Sequence, residues 1–164
     1  MQEGLCVYPG SFDPVTCGHL DLIERAAAIF PQVVVAVLNN PSKSGFFSVK
    51  ERVRMLTKVC AHLPTVRVDS FAGLLMDYMK TVGARIVLRG LRAVTDFESE
   101  FLMAQVNRQI SPDIETFFLM TSPKYAYISS GIVREVGGFG GDISSLIPAC
   151  LFSEVTRALK GSTE

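Results

Sequence analysis

Net charge is the first thing this sequence lacks, since 16 lysines and arginines balance 16 aspartates and glutamates over 164 residues. Binding to DNA or RNA depends on neutralising several backbone phosphates at once, which a chain without an overall positive field does poorly. We therefore expect no nucleic-acid partner. A net charge of zero still permits a local cluster of positively or negatively charged residues.

Cysteine is scarce, with four residues at positions 6, 17, 60 and 150. They form no CxxC pair, no zinc-ligand spacing and no disulfide framework, so free thiols in a reducing compartment are the simplest interpretation. The first residues lack the basic segment and apolar run of a signal peptide, and no apolar stretch approaches the roughly 20 residues of a membrane span. We expect a cytoplasmic protein with no membrane partner.

Hydrophobic residues make up 48% of the chain and charged residues 20%, which is typical of a globular protein and not of a disordered one. A chain of this length usually builds one hydrophobic core. We therefore expect residues 1–164 to form a single domain.

Short apolar runs alternate with segments of helical periodicity along the chain. Ser48 with Glu51, and Thr95 with Glu98, have the spacing of capping boxes at helix starts. Five βα units in sequence predict an α/β fold, namely a doubly wound five-stranded parallel sheet with helices on both faces. The predicted strands are residues 5–8, 33–38, 65–68, 85–88 and 116–120.

Ligands of such a sheet bind beyond the carboxyl ends of the strands, where the strand order reverses. The loop after the first strand contains neither GxGxxG nor a Walker A pattern, which disfavours ordinary dinucleotide and P-loop sites. Thr16 is placed to cap the next helix, so Gly18 and His19 fall in a first turn that favours an anion. The helix field disfavours an imidazolium and predicts a neutral donor at His19. The alternative is a histidine that merely packs at a helix start.

Cationic side chains follow the second and fourth strands. Lys43 lies in a polar loop and could be simply solvated. Arg89 and Arg92 end the fourth strand, where a guanidinium is costly unless it meets an anion or a carboxylate, and Gly90 between them would let a ligand approach the backbone. The alternative for the arginines is an ion pair with Asp96 or Glu98.

The remaining candidates are two carboxylates and one segment at a helix start. Asp96 and Glu100 lie four residues apart on one helix face, where they either serve a ligand or complement the helix dipole. Residues 125–131 offer aromatic rings for a purine and hydroxyl and N–H groups for phosphates. No candidate forms a nucleophile and base pair, so the set favours phosphoryl or nucleotidyl transfer, in which positioning and charge stabilisation do most of the work. A nucleotide sensor without turnover is the alternative.

Two motifs resemble those of the nucleotidyltransferase superfamily: TCGH at residues 16–19 resembles its T/HxGH motif, and ISSGIVR at 128–134 resembles its ISSxxxR motif. Five further segments, in the order found in the family, resemble the bacterial phosphopantetheine adenylyltransferase family, and the fourth of them is highly specific. They are YPGSFDP (8–14), NPSK (40–43), FAGLL (71–75), RGLRAVTDFESE (89–100) and NR (107–108).

The resemblance implies a Rossmann-like fold, a homohexamer, and transfer of AMP from ATP to 4′-phosphopantetheine by direct in-line attack, giving 3′-dephospho-coenzyme A and pyrophosphate. This is the penultimate step of coenzyme A synthesis. Mg²⁺ would be the cofactor, held mainly by ATP phosphates and water, so no protein metal ligand is assigned. Related nucleotidyltransferases act on other phosphate esters, such as nicotinamide mononucleotide or glycerol phosphate, but the RGLRAV segment argues against them.

Site residues are carried over by position. His19 would stabilise the transition state. The expected phosphopantetheine ligands are Ser11, Lys43, Leu75 and Arg89. The expected ATP ligands are Ser11, Phe12, His19, Gly90, Leu91, Arg92, Glu100, Tyr125, Ala126, Tyr127, Ile128, Ser129, Ser130 and Gly131.

Two positions depart from the family pattern: Gly131 replaces a common hydroxyl residue, and Leu75 replaces a common methionine. The site as a whole is expected to be cationic, with Lys43, Arg89, Arg92 and Arg134 at one sheet edge. The acidic residues that balance them are expected mostly on helix faces elsewhere.

Overall fold

The computed structural model describes residues 4–40 and 44–161. Within these residues, five parallel strands form one sheet in the order β3-β2-β1-β4-β5. The strands are β1 (Leu5–Gly10), β2 (Gln32–Asn39), β3 (Val66–Ala72), β4 (Ile86–Leu91) and β5 (Glu115–Met120). The α-helices are α1 (Cys17–Ile29), α2 (Val49–Val59), α3 (Leu75–Val82), α4 (Val94–Ile110), α5 (Ser130–Gly138) and α6 (Phe152–Lys160), with short 3₁₀ turns at Pro123–Tyr125 and Ala149–Leu151.

Side chains of β2 alternate between two hydrophobic clusters on opposite faces of the sheet. Val33, Val35 and Val37 pack with α1, α2, α5 and α6 on one face. Val34 and Ala36 pack with α3 on the other. Burial on both faces explains why β2 is a continuous apolar run. The prediction of a doubly wound parallel sheet with helices on both faces is confirmed.

The order of the strands reverses beside β1, which pairs with β2 on one side and with β4 on the other. This is the point of a doubly wound sheet at which ligands bind. The structure extends β4 past the predicted end, so that Arg89 and Gly90 pair with Phe118 and Leu119 of β5. The fold therefore fixes the backbone of Arg89 within the sheet.

The capping box predicted for α2 is confirmed, because the backbone N–H of Glu51 donates to Ser48 and the Glu51 carboxylate accepts from the backbone N–H of Ser48. The capping box predicted from Thr95 and Glu98 is wrong. Helix α4 begins earlier, at Val94, and its N-cap Ala93 has no side chain that could accept a hydrogen bond. The acidic partner is Asp96, whose carboxylate accepts from the backbone N–H of Arg92 at 3.1 Å.

Helix α4 differs from the other helices in having no buried residue, although it lies against β4 and β5. None of the described helices is both long enough and apolar enough to cross a membrane.

Candidate active site

A cavity of about 310 Å³ opens where the strand order reverses, between the carboxyl ends of β1 and β4 and the first turns of α1 and α5. The parts of the chain that line it are far apart in the sequence, as the sheet topology requires. The predicted residues in its wall are Ser11, Phe12, His19, Arg89, Gly90, Arg92, Ile128, Ser129 and Ser130.

His19 is held at the start of α1 by a reciprocal capping box with Thr16. The backbone N–H of His19 donates to the Thr16 hydroxyl at 3.3 Å, and the backbone N–H of Thr16 donates to Nδ1 of His19 at 3.0 Å. A nitrogen that accepts a hydrogen bond carries no proton, so Nε2 carries the proton in the neutral ring. The Phe12 ring packs edge-on against the imidazole with a centroid distance of 5.0 Å.

Burial lowers the pKa of His19 to about 4, and the positive charge of Arg92 acts in the same direction. The imidazole is therefore neutral at physiological pH and can donate through Nε2–H. The helix field predicts the same neutral state, but the main physical cause in the structure is the loss of solvent around the ring. The structure presents His19 as a hydrogen-bond donor and not as a cation.

Arg89 forms a two-point ion pair with Glu100, in which Nε and Nη2 donate to the carboxylate at 2.6 and 2.5 Å. Nη1 donates to the carbonyl oxygen of Pro9 at 3.1 Å, which ties β4 to the end of β1. A guanidinium has five N–H donors, so two N–H groups of Arg89 are left for a ligand. Glu100 itself does not line the cavity described above.

Arg92 is paired in the same way with Asp96, with Nε and Nη2 donating at 3.0 and 3.2 Å. Burial of Asp96 works against ionisation, but the hydrogen bonds from Arg92 outweigh it and lower the pKa of this carboxyl group. Asp96 and Glu100 thus each neutralise one arginine of the wall.

The prediction that the balancing acidic residues lie elsewhere is therefore wrong. Arg134 also contacts a carboxylate, at 3.5 Å from Asp13. The reason is that partly buried guanidinium groups need a counterion before a substrate arrives. The expected ion pair of the arginines with Asp96 holds for Arg92, whereas Arg89 takes Glu100 instead of Glu98.

A second cavity of about 240 Å³ adjoins the first and shares Pro9, Gly10, Ser11 and Arg89 with it. Its other walls come from Leu38, Phe71, Gly73 and Leu75, so it is more apolar. The resemblance implies that Leu75 contacts phosphopantetheine and that His19 contacts ATP. The structure places these two residues in different cavities. Ser11 and Arg89 lie where the cavities meet. Lys43 lies outside the described residues.

The segment 125–131 is only partly brought to the cavity. Ile128, Ser129 and Ser130 line it, whereas Tyr127 is 61% exposed. Tyr125, Ala126, Gly131 and Leu91 are likewise absent from that lining. The Ser129 hydroxyl caps α5 by accepting from the backbone N–H of Ile132 at 3.1 Å, and Ser130 donates its hydroxyl to the carbonyl oxygen of Pro14 at 2.7 Å. The two serines are thus fixed by bonds within the protein.

Gly90 has a packing role that the sequence did not indicate. A Cβ atom at this position would lie 2.3 Å from Cδ1 of Leu22, so with any larger residue the Leu22 side chain would have to move. Leu22 and Thr121 also line the cavity and were not predicted. Two signals could have found them: Thr121 is the first residue after β5, and Leu22 follows His19 by three positions on the same helix face.

The comparisons with known proteins agree with this geometry. Residues 7–136 match the model of the cytidylyltransferase-like family. The phosphopantetheine adenylyltransferase of Clostridium botulinum (strain Alaska E43 / Type E3) is 51% identical over 156 residues, covering 95% of this chain and 98% of that protein. That of Caldanaerobacter subterraneus subsp. tengcongensis is 49% identical over 158 residues, covering 96% and 99%.

This chain belongs to the phosphopantetheine adenylyltransferase family. The fold is shared more widely. The structure of Plasmodium falciparum nicotinic acid mononucleotide adenylyltransferase superposes with a TM-score of 0.68 at 16% identity, covering 99% of each chain. The resemblance inferred from the motifs is therefore confirmed.

Proposed function

We propose that this protein transfers AMP from ATP to 4′-phosphopantetheine, giving 3′-dephospho-coenzyme A and pyrophosphate. The observation that carries the proposal is the pair of adjoining cavities that meet at Ser11 and Arg89. The larger, more polar cavity suits the nucleotide triphosphate. The smaller one, with Leu38, Phe71 and Leu75, suits the gem-dimethyl and methylene groups of a pantetheine arm, and the phosphate of phosphopantetheine would then lie at Arg89.

The chemical step needs no general base. The second pKa of a phosphate monoester is about 6, so the attacking oxygen of phosphopantetheine is largely ionised at pH 7. That oxygen forms a bond to the α-phosphorus of ATP while the bond from the α-phosphorus to the bridging oxygen breaks in line. Pyrophosphate leaves with the electron pair, and no covalent intermediate with the protein is formed.

The residues of the wall would promote this step by charge and position. Nε2–H of His19 would donate to the α-phosphate as negative charge moves toward pyrophosphate, which is the kind of preorganised donor that stabilises a transition state. The free N–H groups of Arg89 and Arg92 would bring two anions together against their repulsion. Glu100, which accepts from Arg89, would contribute to substrate binding by orienting that guanidinium.

Mg²⁺ fits this site as part of the nucleotide complex. The larger cavity is lined by backbone, hydroxyl, imidazole and guanidinium groups. No group of three or more potential metal ligands occurs in the part of the chain that the structure describes. Mg²⁺ retains several waters and is commonly held through substrate phosphates, so we propose that ATP supplies it. When bound, it would neutralise charge on the phosphates.

Release of pyrophosphate on mixing the protein with ATP, Mg²⁺ and phosphopantetheine tests the proposal. We expect turnover that requires all three components. Parallel reactions with nicotinamide mononucleotide and glycerol phosphate should release little pyrophosphate, because neither carries a pantetheine arm to fill the second cavity. Equal turnover with either compound, or ATP binding without any turnover, would contradict the proposal.

We also propose that the protein is a homohexamer in the cytoplasm. Helix α4 and the neighbouring strand β5 expose an apolar surface formed by Val94, Phe101, Leu102, Met103, Val106, Phe117 and Met120. Exposed apolar surface of this extent is usual at protein contacts. The four cysteines are free, as is common in a reducing compartment. Light scattering in solution tests the assembly, and a monomer at micromolar concentration would contradict it.

A further inference from the structure

Arg52 is a buried arginine whose charge serves no substrate in the proposed mechanism. It extends from α2, and only 6% of the residue is exposed. Nη1 donates to the carbonyl oxygen of Ser11 at 2.8 Å and to that of Leu38 at 3.3 Å. Within residues 4–40 and 44–161, no carboxylate forms an ion pair with Arg52, and Nε has no hydrogen-bond partner.

A buried charge with no carboxylate in direct contact destabilises the fold, so its presence needs an explanation. An apolar residue of similar length would fill the same space at α2 without that penalty. What an apolar residue cannot do is donate to two carbonyl groups at once. The two acceptors lie on different segments, since Ser11 follows β1 and Leu38 is the seventh residue of β2. Arg52 therefore ties the loop after β1 to the end of the neighbouring strand.

Ser11 is the residue on which this contact acts, and its place in the molecule is unusual. It lines the two cavities of the candidate active site and also a third cavity of about 300 Å³, together with Arg52 and Asp13. No helix or strand holds Ser11, because β1 ends at Gly10 and α1 begins at Cys17. The bond from Arg52 to its carbonyl oxygen is thus a direct restraint on where the Ser11 side chain lies.

The same loop is restrained two residues after Ser11 by a second buried charge, that of Asp13. The carboxylate of Asp13 accepts from the backbone N–H groups of Phe46 and Phe47, both at 2.8 Å. Those two contacts join the loop to the segment that precedes α2. Arg52 and Asp13 therefore hold neighbouring parts of the loop against α2 and the segment that precedes α2. Ser11 lines the two cavities of the candidate active site.

We propose that Arg52 is a positioning residue, which holds Ser11 at the junction of the two substrate cavities by binding its main-chain carbonyl group. The kinetic part of this inference rests on the proposed function. The structural part, restraint of the loop at residues 11–16, does not. Arg52 acts through Ser11 and touches no reacting atom.

The first test is structural and does not depend on activity. Hydrogen–deuterium exchange is compared in the wild type, Arg52→Met and the matched control Arg54→Met, whose arginine lies on the same helix, is 54% exposed and pairs with Glu154. We expect faster exchange in peptides covering residues 11–16 for Arg52→Met, with the control like the wild type. Unchanged exchange in that loop would overturn the inference, whatever the protein catalyses.

The second test is a double-mutant cycle of Arg52→Met with Ser11→Ala, measured on the pyrophosphate release of folded protein. Small displacements of a positioning group can cost on the order of tenfold to a hundredfold, so we expect a rise of at least about tenfold in KM for phosphopantetheine in each single variant. The double variant should lose little more than the worse single variant, because a missing hydroxyl cannot be misplaced. Fold-changes that multiply would overturn the inference.

A third variant covers the case in which Arg52→Met does not fold. Arg52→Lys keeps the charge but offers one compact ammonium in place of a planar fork. We expect it to fold, to bind one of the two carbonyl groups and to show intermediate exchange and an intermediate KM. The same cycle with Ser11→Ala applies to it. Absence of pyrophosphate release by the wild type would contradict the proposed function and leave the exchange test to decide the role of Arg52.

Discussion

The start of α1 and the residues before α4 border the same cavity, but the first presents an uncharged donor and the second presents paired charges. At α1, Thr16 and His19 satisfy each other within four residues and hold a neutral imidazole. Before α4, Arg89 and Arg92 are each bound to a carboxylate of the helix. The geometry at α1 comes from a local motif. The geometry before α4 combines a local pair, Arg92 with Asp96, and a contact between β4 and α4, Arg89 with Glu100.

This difference separates two tasks that a nucleotidyl transfer requires. A neutral donor strengthens its hydrogen bond when charge develops on the α-phosphate, so it acts chiefly on the transition state. Ion-paired arginines attract phosphate in the ground state as well, and their carboxylates limit how strongly they do so. We call His19 and its cap Thr16 the α1 wall, and Arg89 and Arg92 with their carboxylates on α4 the α4 wall. We expect substitutions in the α1 wall to change kcat and substitutions in the α4 wall to change KM.

The largest effect is expected for His19→Ala. Loss of one preorganised donor typically lowers kcat by on the order of 10²–10³, and the KM values should change little. Pyrophosphate release at saturating substrates measures this. The other histidine of the chain provides the control, because His62 is exposed and pairs with Glu24 far from the cavity, so His62→Ala should turn over like the wild type. Near-wild-type turnover of His19→Ala would contradict the role of the α1 wall.

The neutral state of His19 also predicts a pH dependence of stability. The pKa of about 4 lies below the ordinary value of 6.5, so as the pH falls the unfolded chain takes up this proton before the folded protein does. The contribution of His19 to the free energy of unfolding is fully present above pH 6.5. It decreases by about 3 kcal/mol as the pH falls from 6.5 to 4. Urea unfolding at pH 7 and pH 4.5 measures it, and His19→Asn should lose correspondingly less over that interval. Equal losses in the two proteins would contradict the assignment.

Arg89→Ala should affect binding more than turnover. Charge-assisted hydrogen bonds contribute about 1.5–3 kcal/mol, which corresponds to a rise of roughly 10- to 100-fold in KM for phosphopantetheine. The KM for ATP should rise less, since Arg89 lies where the second cavity begins. Initial rates with each substrate varied in turn separate the two. Arg85→Ala, an exposed arginine before β4, is the control. Unchanged phosphopantetheine kinetics in Arg89→Ala would count against the assignment.

Much of the fold could be predicted from the sequence because the decisive signals are local. The β-branched run of β2, the N-cap of α1 and the capping box of α2 each lie within a few residues. Together with the alternation of five βα units, they indicate a parallel sheet with helices on both faces. The predicted start of α4 is wrong because an acidic residue follows both Ala93 and Thr95 by three positions, namely Asp96 and Glu98. Asp96 is held by Arg92, and this contact favours the earlier start.

The pair of Arg92 with Asp96, four residues apart, could be predicted from spacing, but the partner of Arg89 could not. Arg89 and Glu100 are eleven residues apart, and they meet only because β4 and α4 pack together. Leu22 faces Gly90 for the same reason. Likewise, Arg52 reaches two carbonyl groups on separate segments, a contact that no periodicity in α2 indicates. Residues after strand ends could be predicted as candidates, whereas their partners depend on tertiary contacts.

The smallest effect on stability is expected from the N-cap of α4, which lacks the side-chain hydrogen bond that the N-cap of α1 makes. Helix α4 has half of a capping box: the Asp96 carboxylate accepts from backbone N–H groups at the helix start, but the N-cap Ala93 offers no oxygen in return. The extended backbone of Ala93, with φ of −146° and ψ of 168°, suits a serine N-cap. Ala93→Ser should therefore raise the free energy of unfolding by about 0.5–1 kcal/mol. Urea unfolding measures this against Val94→Ser, where a hydroxyl one position later cannot cap. An equal rise in the free energy of unfolding for both variants would contradict the interpretation that α4 lacks a capping acceptor at Ala93.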